Sequence, residues 1–244
     1  MRVNAALRRN ARQSQRGVQP EHGIEKLSWS LLPVTETIKE PHRVEPIGPM
    51  KKNVVIFIFP EVEVLDFAGP FEVFSVANQL HGHDAFNVVV AAESPGSVRA
   101  CNGLKVVPDF TLENCPSPHL LIVPGGIGTR ALLNKPAFLE WIRVKSRKAE
   151  YVMSVCTGAL VLAKAGLLDG LRITTHHQAL DLLRELAPAA TVEASARFHD
   201  NGKILTAAGI SAGLDCSLHV VARMLGPEAA KATAHHMEYR IHEG

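Results

Sequence analysis

From Lys51 onward, apolar residues fall into short runs separated by longer amphipathic stretches. Val54-Val55-Ile56-Phe57-Ile58-Phe59 is β-branched and aromatic throughout, the pattern of a strand buried on both faces. Similar runs recur at Phe86 to Ala92, His119 to Val123 and Tyr151 to Val155. Between them, Phe67 to Leu80, Pro136 to Lys148 and Thr157 to Leu168 carry apolar positions at helical spacing. Strands alternating with helices of this length predict an α/β sandwich with a mostly parallel central sheet between two helical layers. Two segments break the alternation. Val98 to Cys101 and Leu104 to Val107 flank Asn102-Gly103, a strong hairpin signal, and Phe198 and Lys203 to Thr206 flank Asp200-Asn201-Gly202, a second one.

The first fifty residues do not share this pattern. They hold eight Lys+Arg against five Asp+Glu, whereas the remaining chain holds eighteen against nineteen, so the overall charge of +2 belongs to a basic start. That start lacks the apolar core of a secretory signal and is poor in Ser, so residues 1–50 read as a disordered basic extension and linker ahead of a domain at 51–244. A targeting segment, or a working start at Met50, are the other readings of this stretch. No window approaches the length of an apolar bilayer span. Four cysteines without a CxxC pair indicate a reducing, cytoplasmic setting and at most one special thiol.

Ligands of open α/β sheets bind beyond the carboxyl ends of the strands. At the end of the Tyr151 to Val155 run, the chain passes through Cys156-Thr157-Gly158-Ala159 directly into a helix. Such a junction strains the corner residue, lifts its side chain above the sheet and places it at a helix N-terminus. This predicts a Cys156 thiol with a lowered pKa, against the alternative of an inert buried cysteine. The run ending at Val123 leads into Pro124-Gly125-Gly126-Ile127-Gly128, whose backbone N–H groups are candidate donors to developing negative charge. This stretch lacks the Lys-Ser/Thr of a phosphate loop and the spacing of a dinucleotide fingerprint, so nucleotide binding is not expected. Asp66, after the first strand, suits either a helix N-cap or an acid facing Cys156. The pairs His176-His177 and His235-His236 do not share a helix face and do not read as metal ligands, and His236-Met237-Glu238 is only a weak hint of a Cys-His-Glu arrangement.

In order along the chain stand Leu65-Asp66-Phe67-Ala68-Gly69-Pro70, Val123-Pro124-Gly125-Gly126, Ser154-Val155-Cys156-Thr157-Gly158-Ala159, Ala165-Gly166-Leu167-Leu168-Asp169-Gly170, Thr174-Thr175-His176 and Ala208-Gly209-Ile210-Ser211-Ala212-Gly213. This series resembles the ThiJ/PfpI superfamily and, within it, the isocyanide hydratases. The resemblance implies a flavodoxin-like core, a homodimer and a cofactor-independent hydration of an isocyanide to an N-substituted formamide. By position it implies Cys156 as nucleophile and Asp66 as acid/base group. The backbone of Gly125, Gly126 and Thr157 would steady charge. The carboxyl beside the sulfur should then have a raised pKa, since two anions in contact disfavour each other.

Where the superfamily's proteases carry His after the cysteine, this chain has Thr157, which removes the neighbouring base and argues against proteolysis. Asp66, in place of the Glu of glyoxalase and chaperone-like members, favours the hydratase branch. Two alternatives share the same residues. One is glyoxalase or protein-repair chemistry at the same thiol. The other is a ligand-sensing domain like the N-terminal domain of AraC-type regulators, in which the chain would continue past Gly244 into a helix-turn-helix pair. The core's slight net negative charge offers no footprint for nucleic acid. The expected partner is therefore a small electrophilic substrate, with neither nucleic acid nor membrane.

Overall fold

A computed structural model describes residues 51–242. The expected extension over residues 1–50 lies outside them. In chain order the elements are β1 (Lys52–Phe57), α1 (Val64–Leu80), β2 (Phe86–Ala92), β3 (Val98–Arg99), β4 (Lys105–Val106), β5 (Phe110–Thr111), β6 (Leu120–Val123), α2 (Thr129–Leu132), α3 (Pro136–Lys148), β7 (Tyr151–Val155), α4 (Gly158–Lys164), β8 (Arg172–Ile173), α5 (Leu180–Leu186), β9 (Thr191–Val192), β10 (Phe198–Asp200), β11 (Ile204–Ala207), α6 (Ala212–Leu225) and α7 (Pro227–His236).

Seven strands form the central sheet in the order β10-β11-β7-β6-β1-β2-β5. All neighbours run parallel except the antiparallel edge pair β10–β11. The four apolar runs become β1, β2, β6 and β7, whose side chains are almost wholly buried, as expected of strands covered on both faces. Helices α1, α6 and α7 pack on one another, while α4 gathers α2, α3 and α5. The result is the α/β sandwich that the alternation predicts, with a flavodoxin-like order of layers.

Both hairpins form. Val98 pairs with Val106, and Phe198 with Ala207. The first turn is longer than a two-residue loop, because Cys101–Gly103 adds a helical turn with Asn102 at φ 61°. The sequence expectation does not include α6 and α7; the buried face of α7 is small throughout (Ala229, Ala230, Thr233, Ala234), whereas α6 buries Leu218, Val220 and Val221 beside Ala212, Gly213 and Ser217. Helix α4 stops at Lys164, earlier than its apolar pattern suggests, and Gly166 turns the chain at φ 71°.

Strands β11, β7, β6 and β1 are consecutive neighbours and parallel, so their carboxyl ends open along one edge of the sheet. The segments leaving those four strands carry Ile210, Cys156, Gly125-Gly126 and Asp66 respectively. Residues far apart in sequence are thereby brought to one place.

Candidate active site

Cys156 stands alone between the last residue of β7 and Thr157, the N-cap of α4, with φ +55°. A β-substituted residue in the left-handed region costs about 1–3 kcal/mol, which the surroundings must offset. They do so by holding both sides of its peptide. The Cys156 N–H donates to the carbonyls of Ala207 (3.2 Å) and Ala208 (2.9 Å), and Thr175 Oγ1 donates to the Cys156 carbonyl at 2.7 Å. Gly158 lets the turn close, since a Cβ there would lie 2.0 Å from the Val123 carbonyl oxygen.

Asp66 is fully buried. It sits in the first turn of α1 and caps no helix; Glu63 occupies the N-cap position. The helix begins a turn earlier than the apolar spacing indicates. Pro70, inside α1, has no N–H to give the Asp66 carbonyl, so the helical ladder is interrupted at the site. Oδ2 of Asp66 accepts the Gly125 N–H at 3.0 Å. Oδ1 has no hydrogen-bond partner among the described residues. The Cys156 thiol and the Ile210 N–H lie close enough to act on the carboxyl's charge without a formed bond to that oxygen. Burial outweighs them and raises the Asp66 pKa from 3.8 to about 7.

The thiol does not behave as its position at a helix start suggests. Burial first, and the Asp66 carboxyl second, push its pKa up to about 12. The N–H groups of Thr157 and Ile210 face the sulfur and favour the thiolate, but more weakly. The short helix α4 cannot compensate for the loss of water around a sulfur that is 5% exposed. The expectation of a lowered pKa is thus overturned, whereas the raised pKa of the carboxyl agrees with it.

A second correction concerns the glycine-rich turn. The Gly125 N–H is bound to Asp66, and the Gly126 N–H donates to Thr157 Oγ1 at 2.9 Å. Neither is free to meet developing charge. Thr157 Oγ1 in turn donates to the Gly126 carbonyl (3.1 Å), and Thr129 Oγ1 donates to the same carbonyl at 2.8 Å. The turn and the thiol corner are therefore clamped together. Gly125 is required by close approach, because a Cβ would meet Thr157 N at 2.5 Å and Asp66 Oδ2 at 2.8 Å. The backbone donors that remain beside the sulfur belong to Thr157 and Ile210.

Ile210 escapes the sequence reading as a site residue. It lies in the Ala208-Gly209-Ile210-Ser211 segment after β11 and adopts φ +48°, costly for a β-branched residue. The available signal is the same as for Cys156, small residues between a strand end and a helix.

The sulfur opens onto a cavity of about 250 Å³ whose walls include Glu63, Ile127, Arg130, His176, Gln178 and Ile210. His176 has a pKa below the usual value, chiefly through burial, and its Nδ1 accepts the Gln178 N–H at 3.3 Å. His235, His236 and Glu238 line a different hollow and do not reach this cavity. A larger, apolar hollow of about 530 Å³ between β10, α6 and α7 contains none of the five expected site residues. Among the described residues, no three His, Cys, Asp or Glu side chains cluster to hold a metal ion, and no helix is long and apolar enough to cross a membrane. All four cysteines are free thiols.

Known proteins share this arrangement of chain. An isonitrile hydratase of Pseudomonas putida is 34% identical over 190 residues, covering 78% of this chain and 79% of its own. The HTH-type transcriptional regulator CdhR of Pseudomonas aeruginosa is 33% identical over 181 residues, 74% of this chain but 53% of the regulator, so the chain spans about half of that protein. A crystal structure of a ThiJ/PfpI family protein from Pseudomonas syringae superposes with a TM-score of 0.71 at 28% identity, covering 83% of this chain and 84% of that one. The family model described as DJ-1/PfpI matches residues 52–223, well over half of the sequence, and the chain belongs to the DJ-1/PfpI family.

Proposed function

We propose that the protein is a cofactor-independent lyase of the isocyanide hydratase type, with Cys156 as nucleophile and Asp66 as acid/base group. The observation that carries this reading is the buried pair itself. A carboxyl titrating near neutrality faces a thiol that does not ionise alone. At neutral pH the pair shares one removable proton, which a nucleophile and its base require. The likeness to an isonitrile hydratase over most of both chains supports the same chemistry.

The Asp66 carboxylate takes the thiol proton as the sulfur bonds to the terminal isocyanide carbon, and returns that proton to the same carbon, giving a thioimidate. Water, losing a proton to Asp66, adds to the thioimidate carbon, and Asp66 returns that proton to the thioimidate nitrogen. Collapse of the tetrahedral adduct breaks the carbon–sulfur bond, restores the thiol and releases the N-substituted formamide. The N–H groups of Thr157 and Ile210 steady negative charge on the sulfur as it enters and leaves. Thr157 also fixes the Gly126 turn through its hydroxyl. The substrate is a small electrophile, and assembly as a cytoplasmic homodimer completes the reading.

The match to a regulator favours a second reading, in which the same pocket senses a ligand without turning it over. Incubation with cyclohexyl isocyanide separates the two. The hydratase reading expects the formamide from the wild type and none from Cys156→Ala. Formamide from Cys156→Ala at the wild-type rate refutes the covalent mechanism, and binding without product favours sensing. Lactate from methylglyoxal in a parallel run would assign the thiol to glyoxalase chemistry instead.

A further inference from the structure

We propose that Arg130 selects the substrate, so that among isocyanides this site prefers those carrying a carboxylate; this rests on the hydratase reading above. The cavity is small, holding about eight waters' worth of space at about 30 Å³ each. Its wall is unlike that of a pocket for a plain hydrocarbon. Arg130 Nη1 is tied to the Gly126 carbonyl (3.3 Å) and Thr129 Oγ1 (3.1 Å), which fixes the guanidinium against the cavity. Its Nε and Nη2 make no hydrogen bond or ion pair among the described residues. That edge presents two parallel donors, the geometry that grips a carboxylate with both oxygens. A purely apolar substituent would strip water from these donors and give nothing back.

His176 adds a third donor. Its Nδ1 accepts the Gln178 N–H, so the ring carries its proton on Nε2, which has no partner among the described residues. Arg130 lies near enough to His176 to act on it, more strongly than Glu63 does. Glu63, also on the wall, acts on Asp66 too. Glu63 thus stands near both His176 and Asp66, and the free edge of Arg130 is the cationic contact that this wall offers a carboxylate, with the isocyano carbon left for the thiol. The class is that of α-isocyano carboxylates and their near relatives, whose products are N-formyl amino acids.

The test compares isocyanoacetate with its uncharged methyl ester. The wild type should show the higher kcat/KM for the acid. In Arg130→Gln the KM for the acid should rise at least roughly tenfold relative to that for the ester, as loss of a charge-assisted contact implies. Arg130→Lys, which keeps the charge but not the fork, should fall between, and a retained thermal transition shows that each variant is folded. Equal preference for acid and ester, unaltered in Arg130→Gln, overturns the inference while leaving hydration in place. Binding of N-formylglycine and of its methyl ester, followed by calorimetry, reads the same charge preference without turnover. If neither isocyanide is hydrated but N-formylglycine binds more tightly than its ester, and loses that advantage in Arg130→Gln, the hydratase reading fails and the carboxylate site stands. If N-formylglycine binds no better than its ester, the carboxylate site is refuted whatever the turnover.

Discussion

Replacing Asp66 by Asn should stabilise the fold in mildly alkaline solution while removing activity. Folding raises the Asp66 pKa from 3.8 to about 7, mainly by burial. The folded state therefore holds this proton more tightly than the unfolded chain does. Its stabilising contribution is complete below the unfolded pKa and is lost as pH rises through about 7. A shift of about three units at about 1.4 kcal/mol each amounts to about 4 kcal/mol, an upper bound for the cost of the buried carboxylate. Asn is uncharged at every pH and keeps an oxygen for the Gly125 N–H. Cys156 adds little to the comparison near pH 8, since its thiol stays protonated there in the folded state. Urea denaturation of wild type and Asp66→Asn near pH 5 and near pH 8 measures the difference. The advantage of the variant should grow by roughly 2 kcal/mol or more between the two conditions. An advantage that does not change with pH, or a variant less stable than wild type near pH 8, refutes the account of a carboxyl strained by burial.

The same titration governs the rate. The kcat/KM for an isocyanide should fall as pH drops through about 7, where the Asp66 base becomes protonated; a flat profile down to about pH 5 rules out that role. Gly125→Ala sets a methyl group 2.5 Å from the Thr157 nitrogen, so the turn must move. Turnover should drop by about a hundredfold, and stability by about 1–3 kcal/mol, as measured by steady-state kinetics and urea unfolding. Wild-type kinetics in this variant would show that the clamp does not position the pair.

Much of the architecture was legible along the chain because its signals are local. β-Branched runs such as Val54 to Phe59 have little choice but to be covered strands, and a strand meeting Cys156-Thr157-Gly158-Ala159 must turn sharply into a helix. Helix α7 stayed hidden because its buried face is built of small residues, Ala229, Ala230, Thr233 and Ala234, whereas α6 carries an apolar face with Leu218, Val220 and Val221 that went unread. At the site, the residue types and the strained corner could be read in advance, but the sign of the Cys156 shift could not. That sign depends on how completely α1 and the segment after β11 exclude water from the sulfur, and on Asp66 arriving ninety residues away in sequence through the side-by-side register of β1, β6 and β7. The fate of the glycine N–H groups was decided in the same way. Gly125 and Gly126 are donors in any sequence, yet only packing turns them toward Asp66 and Thr157 and leaves Ile210 to face the thiol. Local chemistry determines which groups a chain possesses. Burial and long-range contact determine what each of them is left free to do.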